Sequence, residues 1–336
     1  MEGRVALVTG GGRGIGREAA ELLAAAGARV MITARSEQEL ATVGLDYVAA
    51  DLGAVGECAR VVAETERRLG PIDVLVVNHG IGSAHERVIW EQDPEVWSET
   101  MRVNLDAPFE LSRLIVGGMV ERRAGSVVYT SSTAGQVAEH AGSAYTASKH
   151  GLLGLMRAVA QDAGPFGVRS NAVLPGWVRT EMAERSALAE AEQRGITTDQ
   201  VWTERAASYP PGRVLTPREV AEVIVFLCGD TASGVNGEAV TVALGSSWSA
   251  GPPGRRRGCM VDRCAPPGCS ASRRPASPSP SGSPPRLLRA MPARRERTAR
   301  RSCSSRHFTS RSSWSRFATR WSRPRARAPA RFRTGS

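Results

Sequence analysis

The sequence predicts an α/β fold in which about seven parallel strands form one doubly wound sheet with helices on both faces. Two observations predict it. Short apolar runs alternate with longer amphipathic segments through about the first 245 residues, and a glycine-rich stretch directly follows the first apolar run. Strand–helix alternation implies right-handed crossovers, which make neighbouring strands parallel. The predicted strands are residues 5–9, 30–33, 47–50, 74–77, 126–130, 170–174 and 239–242. The predicted helices are residues 16–26, 56–69, 107–122, 144–163 and 217–228.

The glycine-rich stretch is TGGGRGIG, residues 9–16, and it connects the first predicted strand to the first predicted helix. Glycines let the backbone approach a pyrophosphate closely, and a helix start offers unpaired N–H groups and the positive end of the helix dipole. A glycine-rich turn in this strand–helix context predicts a dinucleotide phosphate site.

A tyrosine and a lysine lie four residues apart on one predicted helix. Lys149 is the only lysine in a chain that has 43 arginines. Residues four apart share a helix face, so Lys149 is expected beside Tyr145. A nearby cation lowers the pKa of a phenol from its usual value of about 10, toward the range useful for general acid–base catalysis. Ser132 follows an apolar run and is expected at the carboxyl end of a central strand, where it can hydrogen-bond to a substrate carbonyl.

These motifs occur with several others in one order along residues 3–248. The set is Thr9, Gly10, Gly14 and Gly16; Asp51-Leu52; Asn78-His79-Gly80; Asn104; Ser132; Tyr145 with Lys149; and Pro175-Gly176 with Thr180. In this set the chain resembles the short-chain dehydrogenase/reductase family. The resemblance implies a Rossmann-type domain over residues 1–249 and an NAD(P) cofactor. His79 departs from the family, which usually has alanine there, and predicts altered packing near the nicotinamide rather than loss of binding.

The resemblance also implies roles for individual residues. Tyr145 is expected to be the general acid or base, Lys149 to hold the nicotinamide ribose as well, and Asn104 to support a proton-relay water. The implied catalytic set is Asn104, Ser132, Tyr145 and Lys149. The implied cofactor-binding set is Gly10, Gly12, Arg13, Gly14, Ile15, Gly16, Arg35, Ser36, Asp51, Leu52, Asn78, Gly80, Tyr145, Lys149, Pro175, Gly176, Val178 and Thr180.

The residues after the second predicted strand favour NADP(H), with NAD(H) as the alternative. Ala34 stands where the family's NAD binders usually carry an aspartate. Arg35, followed by Ser36, can pair with a 2′-phosphate, and Arg13 could add a second contact. Asp51 is expected to hydrogen-bond to the adenine amino group.

The predicted reaction is hydride transfer between NADP(H) and a small-molecule carbonyl or secondary alcohol. Residues 181–213 lie where the family carries a substrate lid. Four side chains are expected either to line an apolar pocket or to pack there: Trp177, Met182, Trp202 and Tyr209. The PGWVRT stretch resembles hydroxybutyrate dehydrogenases, but Gly82 and Ala134 stand where those enzymes have polar carboxylate-binding residues. The overall character is closer to 3-oxoacyl-thioester and polyketide ketoreductases; the alternative is an NAD-dependent alcohol dehydrogenase that acts oxidatively.

The net charge of +11 is unevenly distributed along the chain. Residues 251–336 contain 22 arginines and two acidic residues, so the first 250 residues carry a net −9. This tail is rich in Arg, Pro, Ser and Ala and is predicted to be disordered. We interpret residues 250–336 as a frameshifted or fortuitous extension. The alternative is a nucleic-acid-binding arm, which would make the protein a redox-sensing nucleic-acid-binding protein.

Other features of the sequence predict the compartment and the assembly. The chain shows no secretory signal and no apolar run of about 18 residues, and Cys58 and Cys228 show no pairing pattern, so a cytoplasmic protein is expected. The histidines lack ligand spacing, so no metal site is expected. The family resemblance implies a homotetramer or homodimer, built largely through the predicted helices 107–122 and 144–163.

A chain that ends at Ser249 is expected to fold and to keep full turnover, because every recognised motif precedes that residue. Comparison of the shortened and full chains by circular dichroism and by cofactor oxidation tests this. Aggregation or loss of activity in the shortened chain would make the tail a structural element.

Overall fold

The computed structural model describes residues 1–83 and 86–246. Its strands are β1 (Val5–Thr9), β2 (Arg29–Ala34), β3 (Asp46–Ala49), β4 (Val74–Val77), β5 (Gly125–Thr130), β6 (Val168–Pro175) and β7 (Ala239–Val242). They form one sheet in the order β3-β2-β1-β4-β5-β6-β7, with every neighbouring pair parallel. The seven predicted strands are therefore confirmed, with ends that differ by at most two residues. The predicted tail, 250–336, and its predicted disorder lie outside the described residues.

The described helices are α1 (Gly14–Ala25), α2 (Glu37–Ala41), α3 (Glu57–Leu69), α4 (Pro94–Met101), α5 (Ala107–Arg122), α6 (Ser143–Ala163), α7 (Glu181–Arg194), α8 (Thr198–Ala207) and α9 (Pro217–Cys228). The five predicted helices are α1, α3, α5, α6 and α9. The helices α2, α4, α7 and α8 were not predicted; in α7 only three alanines turn inward, Ala183, Ala187 and Ala191, and alanine gives a weak hydropathy signal.

The two faces of the sheet bury separate apolar clusters. On one face, Leu7 of β1 and Leu75 of β4 pack with side chains of α3, α5 and α6. On the other face, Val8 and Val76 pack with side chains of α1 and α9. Strands buried on both faces read as unbroken apolar runs, which is why β1 and β4 could be recognised in the sequence.

The strand order places a crevice at the carboxyl ends of β1 and β4. The chain moves outward from β1 to β2 and β3, and then returns to place β4 on the other side of β1. The connections after β1 and β4 therefore leave on opposite sides of the sheet, and ligands bind in the gap between such connections. The loops that follow β5 and β6 border the same edge.

Two findings apply to the described residues alone. No helix among them is long and apolar enough to cross a membrane. Within residues 1–83 and 86–246, no group of three or more His, Cys, Asp or Glu side chains is arranged to hold a metal ion.

Thr216→Ala is expected to lower the free energy of unfolding by about 1 kcal/mol without changing kcat. Thr216 and Glu219 form a reciprocal capping box at the start of α9, and α9 packs against α1 behind the glycine-rich turn. Urea unfolding measures the first quantity and cofactor oxidation the second. An unchanged urea midpoint would show that the cap does not contribute to stability.

Candidate active site

The glycine-rich turn after β1 forms a tight loop that leads directly into α1. Gly10 and Gly14 have φ values of +67° and +55°, a region that favours glycine. A Cβ at Gly16 would collide with the carbonyl oxygen of Gly10, so only glycine allows α1 to lie this close to β1. Arg13 precedes α1 but makes no side-chain cap, and the first turn has no acidic residue. The N–H groups at this helix start are therefore suited to a pyrophosphate.

Thr9, at the end of β1, connects the glycine turn to the loop after β4. Its Oγ1 accepts from the N–H of Asn78 at 2.9 Å and from that of His79 at 3.2 Å, and it lies 2.7 Å from His79 Nδ1. Asn78 Nδ2 donates to the carbonyl of Gly10 at 3.4 Å. Burial and the charge of Lys149 lower the pKa of His79 to about 4, so its ring is neutral at pH 7. His79, at the position where the family usually has alanine, therefore forms a hydrogen bond with Thr9 through an uncharged imidazole ring.

Lys149 and Tyr145 lie on the same side of α6, as predicted. The Lys149 side chain is only 4% exposed, and its Nζ donates to the carbonyl of Thr130 at the end of β5, at 3.0 Å. The ammonium lies 5.5 Å from the centroid of the Tyr145 ring. Ser132 is buried beside them, and its side chain is close enough to Tyr145 to affect the pKa of the phenol. The structure thus brings the predicted serine, tyrosine and lysine together at one strand end.

The pKa values at this cluster differ from the sequence expectation in one respect. Burial lowers the pKa of Lys149 to about 8. The pKa of Tyr145 is raised, because burial and the nearby charges of Glu139 and Glu86 outweigh the opposing effect of Ser132. The expectation that Lys149 brings this pKa below its usual value is therefore wrong, and the ammonium donates instead to the carbonyl of Thr130.

Asn104 lies in a π-helical turn, Arg102–Asp106, between α4 and α5. Its Oδ1 accepts from the N–H of Ile81 at 2.8 Å, and its Nδ2 donates to the carbonyl of Ile81 at 2.9 Å and to Ser148 Oγ at 3.2 Å. The side chain therefore holds the loop after β4 against α6. A Cβ at Gly80 would lie 3.1 Å from Asn104 Oδ1, a tight contact, and 3.5 Å from Lys149 Nζ, so this glycine allows the loop to lie close to Asn104.

The predicted adenosine contacts lie at the start of α2 and after β3. Ser36 Oγ caps α2 by accepting from the N–H of Glu39 at 3.2 Å. Arg35 is exposed, whereas the guanidinium of Arg13 pairs with Glu39 at 2.8 Å. Asp51 is exposed and accepts from the N–H of Gly53 at 3.0 Å, and the adjacent Leu52 is buried. The Arg13–Glu39 ion pair could not be predicted from the phosphate-binding motif.

The chain after β6 leads from the strand to α7. Pro175 ends β6, and the N–H of Gly176 donates to the carbonyl of Val242 in β7 at 3.0 Å. Val178 is buried and pairs with Leu215. Thr180 caps α7, and its methyl carbon lies 3.3 Å from where a Cβ on Gly14 would stand. Thr180 and Gly14 are therefore neighbours, and both belong to the expected cofactor-binding set. Ile15, another member of that set, is half-buried in the first turn of α1.

The aromatic side chains of the predicted lid pack mainly against one another and against arginines. Arg205 is buried, and its guanidinium lies 3.6 Å from the ring centroid of Trp177 and 5.0 Å from that of Trp202. Tyr209 is also buried and accepts from the N–H of Trp177 at 2.6 Å. Met182 is 37% exposed and would meet a Cβ at Gly82 at 3.4 Å. Of the four residues considered in the sequence, only Met182 both contacts the loop after β4 and remains exposed.

Sequence reasoning missed two groups of the site region. Glu86 accepts from two backbone N–H groups at the start of α6, and nothing in the local sequence marks it. Arg205 pairs with Glu190 at 2.9 Å and stacks between the two tryptophans. The spacing of tryptophan and arginine in this segment could have indicated a cation–π cluster.

Comparison with known proteins agrees with this arrangement. A family model described as enoyl-(acyl carrier protein) reductase matches residues 10–247, which include the glycine turn, the Tyr145–Lys149 pair and the strand ends between them. The chain belongs to the short-chain dehydrogenase/reductase family. As a short-chain dehydrogenase/reductase it is an oxidoreductase of carbonyl and alcohol groups that uses a nicotinamide cofactor.

Relatives of this short-chain dehydrogenase/reductase include named enzymes. The chain is 38% identical to a Streptomyces virginiae protein named as a ketoacyl reductase of the monensin polyketide synthase, over 72% of this chain and 96% of the relative. It is 33% identical to a D-beta-hydroxybutyrate dehydrogenase of Cupriavidus necator, over 70% and 95%. A crystal structure of an actinorhodin polyketide ketoreductase variant with NADPH is similar at a TM-score of 0.68 and 34% identity, over 72% and 96% of the two chains.

The stability of the parent relative to Lys149→Met is expected to rise between pH 8 and pH 10.5. The pKa of the folded lysine is about 8 and that of the free group is 10.5, so the unfolded chain binds more protons in this window. The difference between the two unfolding free energies should change by an amount on the order of 2 kcal/mol. Urea unfolding of both proteins at several pH values measures it, and parallel pH dependences would contradict the burial of a charged ammonium.

Proposed function

We propose that the protein is an NADP(H)-dependent carbonyl reductase that forms a secondary alcohol, or carries out the reverse reaction. One observation supports this proposal above others: Ser132, Tyr145 and Lys149 meet at the carboxyl end of β5, next to the glycine turn. This arrangement combines a proton donor, a hydrogen-bond donor for a carbonyl and a buried cation.

Reduction adds a hydride to the carbonyl carbon and a proton to the carbonyl oxygen. When bound, the reduced nicotinamide supplies the hydride. The Tyr145 hydroxyl donates the proton, and Ser132 donates a hydrogen bond that orients the same oxygen. In alcohol oxidation Tyr145 accepts the proton instead. The Tyr145 phenol is protonated at neutral pH, as the donor role in reduction requires, and its raised pKa means that proton transfer depends on the positive charge of Lys149.

Lys149 has two roles in this proposal. Its ammonium would hold the nicotinamide ribose, and its charge would favour the phenolate that forms when Tyr145 gives up its proton. Burial strengthens both effects, because a charge in a water-poor site is screened weakly. Asn104 supports the site by holding the loop after β4, and a relay water near it remains part of the proposal.

The pyrophosphate would lie against the start of α1, within reach of Gly12 and Ile15. Beyond it, Arg35 and Ser36 would contact the 2′-phosphate of NADP(H). Arg35 is exposed and directly follows the carboxyl end of β2, where the adenosine end of the cofactor is expected. Arg13 would join them only if it left Glu39, so we assign the main phosphate contact to Arg35.

The proposed substrate is a 3-oxoacyl thioester or a polyketide-like ketone rather than a small 3-hydroxy acid. Ala134 is buried, and Gly82 stands beside Met182, so neither position offers a polar partner for a carboxylate. Glu139 adds negative charge near Tyr145, which opposes an anionic substrate. The ketoacyl reductase and ketoreductase relatives support the same substrate class.

We also propose a cytoplasmic homodimer or homotetramer that assembles through α5 and α6. Phe109 on α5 is 52% exposed, which supports an apolar contact on that helix. Large exposed aromatic side chains commonly mark interfaces between subunits.

Lys149→Arg is expected to reduce kcat at least about tenfold, and Tyr145→Phe more than that, with folding intact. Arginine keeps the charge, but its broad planar group does not fit the space between Gly80 and the carbonyl of Thr130 without displacing Tyr145. A misplacement of about 1 Å can cost about a hundredfold in rate. NADPH oxidation with a panel of ketones and 3-oxoacyl thioesters measures kcat. Parent-like turnover by Lys149→Arg would refute the role of the ammonium.

Arg35→Asp is expected to raise the Kd for NADPH at least about tenfold and to leave that for NADH equal or lower, because an anion replaces the phosphate partner. Quenching of tryptophan fluorescence measures both affinities without turnover. Glu39→Gln is the matched control: it frees Arg13 and should leave NADPH binding equal or stronger. Equal losses for both cofactors in Arg35→Asp would refute the NADP(H) preference.

A further inference from the structure

The helix that carries Tyr145 begins without a cap from its own neighbourhood. Gly142 precedes α6 and has no side chain, and the first turn of α6 contains no acidic residue. The helices α7, α8 and α9 are different, since each is capped by the threonine directly before it. The start of α6 must therefore obtain its hydrogen-bond acceptors from elsewhere.

Glu86, in the loop after β4, supplies them. Its Oε2 accepts from the N–H of Ala144 and its Oε1 from the N–H of Tyr145, both at 2.7 Å. The Glu86 side chain is only 8% exposed, so the contact is made in a site with little water. A carboxylate that accepts from two N–H groups at a helix start also interacts favourably with the helix dipole.

We propose that Glu86 is a positioning residue that fixes the first turn of α6, and with it Tyr145, in the geometry needed for proton transfer. This inference rests on the proposed function of Tyr145. A residue 59 positions away in sequence holds the backbone of the catalytic tyrosine directly. The same loop is held near its other end by Asn104, through Ile81. The loop after β4 and the start of α6 therefore form one hydrogen-bonded unit.

Glu86 acts on Tyr145 through charge as well as through position. The groups that face Tyr145 are Lys149 on α6, Ser132 after β5, Glu139 before α6 and Glu86 itself. Glu139 in turn accepts from Ser83 Oγ at 3.3 Å and lies near the charge of Arg205. Both carboxylates raise the pKa of Tyr145, but only Glu86 holds the backbone of α6.

Comparison of Glu86→Gln with Glu139→Gln in the full-length protein separates these two effects. Each substitution removes one negative charge that faces Tyr145, so each should move the pH profile of kcat/KM for NADPH-dependent reduction toward lower pH. Glu86→Gln also replaces two charged acceptors by one neutral oxygen. It should lower kcat by about tenfold or more and leave the Kd for NADPH within about twofold. Glu139→Gln shares the change of charge but not the loss of the two backbone contacts, so its loss of kcat should be at least about threefold smaller than that of Glu86→Gln.

Hydrogen exchange provides a readout that does not depend on turnover. In Glu86→Gln, the amides of Ala144 and Tyr145 should exchange about tenfold faster than in the parent, whereas in Glu139→Gln they should not change. If Glu86→Gln does not fold, Glu86→Asp serves instead: it keeps the charge but draws the carboxylate away from the N–H groups, and it should lower kcat at least about threefold.

Parent-like kcat and parent-like exchange in the folded Glu86 variant would overturn the inference, as would an equal loss of kcat in Glu139→Gln. The parent is assayed first with the carbonyl panel. Absence of any turnover by the parent would overturn the proposed function, whereas turnover by the parent with no effect of the Glu86 variants would overturn only the role of Glu86.

Discussion

The buried ammonium of Lys149 is the constraint on which the rest of the site depends. It joins α6 to the end of β5 through the carbonyl of Thr130. Burial of a cation is unfavourable, and the lowered pKa of about 8 reflects this. A fold that retains such a group gives up stability at that position, as is common where a residue has a role in function.

Polar side chains hold the surrounding loops by bonding to the backbone. Thr9 accepts hydrogen bonds from two backbone N–H groups of the loop after β4, and Glu86 accepts from two backbone N–H groups of α6. Asn104 hydrogen-bonds to both the N–H and the carbonyl of Ile81. Three loops that are distant in sequence are thereby fixed around one strand edge. Such a site needs little rearrangement when a ligand binds, and preorganised dipoles are the most effective means of stabilising charge that develops during a reaction.

Most of the fold could be predicted from the sequence, because β1, β4 and β5 are nearly unbroken runs of buried residues. The glycine-rich stretch also marks the tight turn from a strand into a helix. The pairing of Tyr145 with Lys149 followed from helical spacing. Properties that depend on distant residues could not be predicted: the raised pKa of Tyr145 arises from burial and from carboxylates on other segments, and the contact of Glu86 joins two loops. Arg13 has the residue type of a phosphate ligand, yet its partner is Glu39, on another helix.

The proposed ribose and proton-transfer site is formed by one buried ammonium beside Tyr145, and the composition of the chain allows a direct measurement of that ammonium. Lys149 is the only lysine, so lysine labelled with ¹³C at Cε gives a single NMR signal from the full-length protein. Lys149 should titrate with a midpoint of about 8, and its signal should change when NADPH is added. A midpoint near the value of 10.5 for a free lysine, with no response to NADPH, would contradict it.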